Sequence, residues 1–391
     1  MPQVPEIPEH ICQSMQHWRH AIHAHPETAF EEHNTSGLVA QALADMGLEV
    51  ERGLAGTGVV GTLRNGPGPV IALRADLDAL PIQELGKPGH ASTCEGKMHA
   101  CGHDGHTAML LGAAAYLAQE RNFSGTVHFI FQPAEENEGG ARVMVEQGLF
   151  ERYPVSAIYG MHNFPDMPRG RFGICVGTIM ASFDTFEIVI KGKGAHAAMP
   201  ELGIDPVVVS AQLVLALQTI VSRRMAATES AVLTVTQIHA GDTWNVIPET
   251  LVLRGTVRTL AADVQARVKA QMHTICAGMA QSTGADVALD YRQGYPCTVN
   301  TPAETAAAIA AAEQVAGKEN VATGVLPSMG AEDFAFMLER CPGAYIKIGS
   351  AESENDPPLH NPYYDFNDNV LPIGAAYWAA LVRQQLPTDR V

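Results

Sequence analysis

The segment MHACGHDGHT, residues 98–107, sets Cys101, His103, Asp104 and His106 within six positions, directly before a small-residue stretch of helical character. A thiolate and imidazoles at such density are good ligands for zinc-like ions, and a neighbouring carboxylate can orient an imidazole by accepting its other N–H. Asp104 is a candidate for that second task. The bland alternative is that Asp and Thr cap the helix and the cysteine is a small core residue. QPAEENEGG, residues 132–140, follows an apolar run and pairs Glu135 with Glu136. Two carboxylates at a strand end suit one metal ligand and one general base, since an ion lowers the pKa of water toward ~7 and the base beside it needs no large shift. A solvated acidic loop would read the same way. MHN (161–163) and LHNPYYDFND (359–368) add His162, ending a buried strand, and His360, in a loop. A single histidine in either place is more often structural, so these two gain weight only from company. Asp76 and Asp78 in RADLDALP are candidates to support ligands or, equally, to cap a turn. His17, His20, His23 and His25 lie on a helical stretch away from any strand end and read as surface or packing residues.

The elements that would position these groups alternate. Apolar spacing predicts helices over 9–24 and 35–46, strands over 59–66 and 70–81, a helix over 107–118, a strand over 126–133, a helix over 139–148 and a strand over 156–162. Helix then strand is the pattern of a sheet covered on both faces, and such sheets bind ligands at the carboxyl ends of their strands. From residue 183 the order becomes strand 186–192, helix 205–222, strands 232–241 and 250–260, helix 262–283 and strand 286–294. That βαββαβ order predicts a ferredoxin-like sandwich. After residue 296 the first style returns. The expectation is an α/β fold: a mixed-sheet catalytic domain, residues 1–181 plus 296–391, interrupted by a ferredoxin-like α+β domain over 182–295.

Composition sets outer limits. With 391 residues, 46% hydrophobic and 17% charged, the chain can fill two cores. Its 42 acidic against 25 basic residues, a net charge of −17, argue against nucleic acid or an anionic membrane as partner. The N-terminus lacks the apolar run of a signal peptide, and VVVSAQLVLALQTIV reads as too short and interrupted to span a bilayer, so a cytoplasmic location is expected. Seven scattered cysteines, an odd number, read as reduced thiols.

Taken in order, RHAIHAHPETAFEE, RADLDALP, MHACGHDGHTAMLLGAA, QPAEE with GGA, MHN, GKGAHAAMP, NVIPET with GTVR, GAEDF and LHNPYYDFND resemble the M20 metallopeptidases over nearly the whole chain. More narrowly they resemble the hippurate hydrolase and auxin-conjugate amidohydrolase branch. The resemblance implies amide hydrolysis of N-acyl amino acids at two divalent ions per subunit, with Cys101, His103, Glu136, His162 and His360 as ligands and Glu135 as base. Zinc, manganese, cobalt and nickel all suit such a mixed donor set. It further implies that the inserted domain is a lid and dimerisation domain, and that His196 of GKGAHAAMP enters the other subunit's site in a homodimer. Asn245 and Arg258 become candidates for substrate recognition, Arg258 through a paired hydrogen bond to a carboxylate. Both could equally be structural, since Arg258 sits on a predicted strand and can simply pair with an acid. GTIMAS (177–182) and Glu201 depart from the branch's usual GPMMAS and histidine, which bears on the acyl group and amino acid that fit. Arg74 stands where many relatives outside the branch have a metal-binding histidine. A dipeptidase or aminopeptidase would use the same centre, whereas a catalytically silent metal-binding protein would have lost the base or a ligand; all six positions are intact.

Overall fold

The computed structural model describes residues 4–388. They form two compact units. The first takes the residues up to Ile179, Val299–Leu326 and the residues from Asp333 on; the second takes Met180–Thr298 and Pro327–Glu332. The short stretch Pro327–Glu332 has no periodicity to announce it. It joins the second unit through backbone bonds, Ala181 N donating to Ser328 O and Gly330 O.

In chain order the first unit opens with α1 (Glu9–Ala24), α2 (His33–Asp45), β1 (Glu49–Leu54), β2 (Gly58–Asn65), β3 (Val70–Asp76), α3 (His103–Glu120), β4 (Gly125–Gln132), α4 (Gly140–Glu146), α5 (Leu149–Arg152), β5 (Ala157–Pro168) and β6 (Phe172–Ile174). After β7 (Gly177–Met180) come β8 (Phe183–Lys191), β9 (Ala195–His196), α6 (Pro206–Arg223), β10 (Ala231–Ala240), β11 (Val246–Ile247), β12 (Thr250–Thr259), α7 (Ala262–Thr283) and β13 (Asp286–Tyr295). The chain then returns through β14 (Thr298–Asn300) to α8 (Pro302–Ala316), β15 (Val321–Thr323), α9 (Ala335–Leu338), β16 (Gly343–Ala351) and α10 (Leu371–Gln385).

The main sheet has the order β1-β2-β4-β3-β5-β16-β6-β15. Its centre, β4-β3-β5-β16, is parallel, while β1, β2 and the β16–β6 pair are antiparallel, so the sheet is mixed. Every residue of β4 is buried, as an unbroken apolar run covered on both faces requires. α3 is buried from His103 to Leu117. Its small residues let neighbouring helices close in: a Cβ on Gly112 would lie 2.1 Å from Met15 Sδ of α1. The parallel centre gathers its carboxyl ends on one edge, where β3 ends at Asp76 and β4 at Gln132. One expectation needs correcting there. His162 does not end its strand, because β5 continues to Pro168 in pairing with β16.

In the second unit β10-β12-β8-β13 form an antiparallel sheet whose order, 2-3-1-4 in chain sequence, is that of a ferredoxin-like sandwich. β8 alternates buried and half-buried residues, and Ile188 and Ile190 pack with Leu213 and Leu217 of α6 and Val268 and Met272 of α7. With 18 residues, α6 is long and apolar enough to cross a membrane, contrary to the expectation from its sequence. One side of it, Val209, Leu213, Leu217 and Ile220, is buried in this core.

Candidate metal centre

Three loops of the first unit meet at the carboxyl edge of its sheet. Cys101 and His103 flank Gly102, whose φ of +91° is left-handed and whose added Cβ would fall 2.3 Å from Asn163 Oδ1. Only glycine fits this turn, so the CGH spacing follows from packing as well as chemistry. Cys101 Sγ lies 3.3 Å from His162 Nε2. His162 Nδ1 donates to the Asn163 carbonyl at 2.7 Å, which leaves the Nε2 lone pair facing the thiol. His360, also left-handed, donates its backbone N–H to Ala100 O at 2.7 Å, and its ring Nε2 stands 3.1 Å from Glu136 Oε1.

Glu135 and Glu136 follow β4 on a turn that Asp78 grips. Their N–H groups donate to Asp78 Oδ1 and Oδ2, each at 3.0 Å. Asp78 Oδ1 is also 3.3 Å from His103 Nδ1. Asp78, a turn cap or a ligand support on sequence grounds, therefore braces both.

Donor atoms fall into overlapping groups, each within 4.8 Å: Cys101 with His103 and His162, Cys101 with Glu136 and His360, and His103 with Glu135 and Glu136. Cys101 is common to the first two. With Asp78 at its Nδ1, His103 keeps its Nε2 buried without a hydrogen-bond partner. Unpaired buried polar atoms are costly, and a divalent cation is the simplest partner for this set. The electrostatics agree. Burial, reinforced by the carboxylates of Glu136, Glu135 and Asp76, pushes the Cys101 thiol well above its usual range. Burial alone would lower His103, yet Asp76, Asp78 and Glu136 raise it to about 10. The cluster carries an excess of buried negative charge that cations would neutralise. The residues present thus fit a pair of ions.

Other predicted residues take supporting places. Asp76 Oδ1 bonds His106 Nδ1 at 2.6 Å, and His106 Nε2 reaches Asn163 Oδ1 at 2.7 Å. With both nitrogens engaged, His106 is a brace. Asp104 does not face the His103 ring. It is fully buried and accepts from His23 Nδ1 at 2.8 Å and Arg19 at 3.2 Å, and these partners hold it below the usual carboxylate range against burial. His23 is accordingly not a surface residue. His17 and His25 are exposed, while Arg19 and His23, four apart on α1, bury their polar groups against α3. The i, i+4 spacing of an arginine and a histidine was the available signal for this contact. Arg74 is consumed by Asp76 at 2.8 Å, Asp333 at 3.0 Å and Gln132 at 2.8 Å.

The remaining candidates belong to the second unit. His196 and Asn245 are exposed on the two-stranded ribbon β9–β11, where Ala197 N donates to Asn245 O at 2.9 Å. Arg258 is half-buried on β12, its guanidinium carbon 3.9 Å from the centre of the Phe183 ring. Its Nη1 has no hydrogen-bond partner.

The sequence pattern of peptidase family M20/M25/M40 matches residues 72–384. The chain belongs to this family. Among similar family members, a hippurate hydrolase of Campylobacter jejuni is 40% identical over 94% of this chain and 95% of its own length. An N-acetylcysteine deacetylase of Bacillus subtilis is 40% identical over 93% and 94%. A crystal structure of the Bacillus subtilis YXEP protein, described as a dinuclear metal-binding peptidase of the M20 family, superposes with a TM-score of 0.84 at 36% identity, covering 97% of this chain and all of that one.

Proposed function

We propose that this protein hydrolyses the amide bond of N-acyl amino acids, releasing a carboxylic acid and a free amino acid, with two divalent ions per subunit. The ions would be held by Cys101, His103, Glu136, His162 and His360. The observation that carries the reading is the sharing of Cys101 between a His103–His162 group and a Glu136–His360 group, with Glu135 on the same turn. The names of the similar hippurate hydrolase and N-acetylcysteine deacetylase support it.

When bound, the ions would polarise the amide carbonyl and lower the pKa of the attacking water. Glu135 takes the proton from that water and returns it to the leaving amine. Asp78 fixes the backbone of Glu135 and Glu136, and the Asn163 carbonyl fixes His162, so little reorganisation is needed on substrate binding. His196 supplies a hydrogen bond to the oxyanion. Its Nδ1 accepts from Ala198 N at 3.1 Å, which puts the neutral ring's proton on Nε2, where it can be donated. The unpaired Nη1 of Arg258 suits the substrate carboxylate, with Asn245 as a second polar contact.

The same reading makes the protein a homodimer through its second unit, with His196 serving the other subunit's centre. β10 is an edge strand with Val232 and Ile238 exposed, and α6 exposes Val207, Val208 and Leu215, the last at 72%. An unpaired strand edge beside apolar residues is a template for a second copy.

The test is a panel of N-benzoyl, N-acetyl and indole-acetyl amino acids and free dipeptides, assayed after reconstitution with zinc, manganese, cobalt or nickel. Turnover of N-acyl amino acids supports the proposal. Cleavage confined to dipeptides would replace it with a dipeptidase reading, and no turnover with any ion would overturn it.

A further inference from the structure

The motif HPETAFEE (25–32) ends in a glutamate that the mechanism above does not use. Glu32 is fully buried and stands at the start of α2, yet its carboxylate does not cap that helix. Oε1 accepts the N–H of Phe30 at 3.1 Å and that of Ala134 at 2.9 Å, and Oε2 accepts the Thr57 hydroxyl at 2.6 Å. Both backbone donors have left-handed backbones, φ +61° at Phe30 and +54° at Ala134, a conformation that L residues other than Asn and Asp seldom adopt without support.

Ala134 directly precedes the proposed base. Three successive amides of this turn each meet a buried carboxylate: Ala134 N on Glu32, then Glu135 N and Glu136 N on Asp78. On the far side Gly140 N closes the turn on Ala134 O at 2.9 Å, and a Cβ on Gly140 would lie 1.8 Å from Pro133 O. An extended Ala134 would turn the Glu135 carboxylate away, while Asp78 at its amide and His360 at its carboxylate keep Glu136 in place. Asp78 grips the amides after the bend, whereas Glu32 receives the amide of the bent residue itself.

We propose that Glu32 is a positioning residue, a clamp that holds Ala134 left-handed and so aims Glu135. This rests on Glu135 being the base. Acting through backbone geometry, Glu32 governs turnover rather than substrate or metal affinity.

The test uses the full-length protein with Glu32→Ala, Glu32→Gln, Ala134→Gly and the double variant. Glu32→Ala should lower kcat at least about tenfold, the scale of a small misplacement of a reacting group, while KM and bound-metal content stay within about twofold. Amide exchange at Ala134, read in metal-free protein, should quicken by more than about tenfold. Glycine tolerates the left-handed bend unaided, so the Glu32→Ala loss in kcat should shrink by about threefold or more in the Ala134→Gly background, a coupling that a generally loosened fold would not produce. Glu32→Gln, which keeps an acceptor for Ala134, should retain most of the activity and carries the test if Glu32→Ala does not fold. Unchanged exchange at Ala134 overturns the clamp. Faster exchange with unchanged kcat overturns the positioning role, as does a parallel loss of metal and activity. Should Glu135→Gln also prove fully active, the base assignment fails instead, while the exchange result still reports on the clamp.

Discussion

Asp76, Asp78, Asp104, Arg19 and Arg74 of the first unit are at most 1% exposed and engaged with partners, whereas His196 and Asn245 of the second are exposed and Trp244 beside them is bare at 103%. In the first unit the charges are fixed by the fold before any substrate arrives, which is what preorganisation means physically. In the second, the polar residues lie on a ribbon with nothing in their own unit to act on. One unit holds its charged groups in a fixed, buried arrangement; the other leaves His196 and Asn245 open to solvent.

The sharpest way to break this contrast is within the first unit. Glu135→Gln should retain both ions but lower turnover by at least about a hundredfold, the scale of general-base loss. Wild-type activity would refute the assignment, and metal content below half of normal would make Glu135 a ligand. Cys101→Ala should lose metal and activity together, while the same change at Cys12, Cys175 or Cys276 should cost at most stability. A fully metallated, active Cys101→Ala protein would remove the shared donor from the scheme.

The second unit is tested by mixing. Glu135→Gln and His196→Ala should each be nearly inactive alone. If His196 serves the other subunit, reassortment makes about half the dimers hybrid, each with one repaired site, and activity returns to roughly a quarter of wild type. No recovery, with subunit exchange verified independently, would show that His196 acts within its own chain.

Smaller effects sharpen the picture. Asp78→Asn keeps the shape but weakens the grip on Glu135, Glu136 and His103, so metal affinity should fall about 10- to 100-fold in a chelator titration. Unchanged affinity would make Asp78 a brace for the backbone alone. The smallest effect concerns His128, buried like His103 but bonded to Thr62 instead of carboxylates, so burial, helped by Arg64, pushes it down to about 4. A depressed histidine contributes stability above its unfolded pKa near 6.5 that is lost as pH falls through its folded pKa of about 4, here about 3 kcal/mol. His128→Gln should flatten urea-derived stability between those limits, and an unaltered slope would show that His128 is already solvated.

Much of this was legible in the residues. The βαββαβ run announced the second unit because alternation is local, and β4 announced itself because a strand buried on both faces needs an unbroken apolar run. β1, β6 and β15 escaped: β1 is a half-exposed edge strand, and the other two have three residues each, too few for a period to appear. Among the site residues, the density of MHACGHDGHT and the pair in QPAEE pointed to metal and base.

The sequence by itself determined which donors exist and that they sit near strand ends and helix starts, because those features depend on neighbours a few residues apart. Only the tertiary structure decided which groups share Cys101, that Asp104 turns to His23 rather than to His103, and that Glu32 receives Ala134. These pairs are 81 and 102 positions apart. Such partners are chosen by which elements pack together, and a histidine or glutamate on a helix looks the same in sequence whether it meets water or a buried carboxylate or amide.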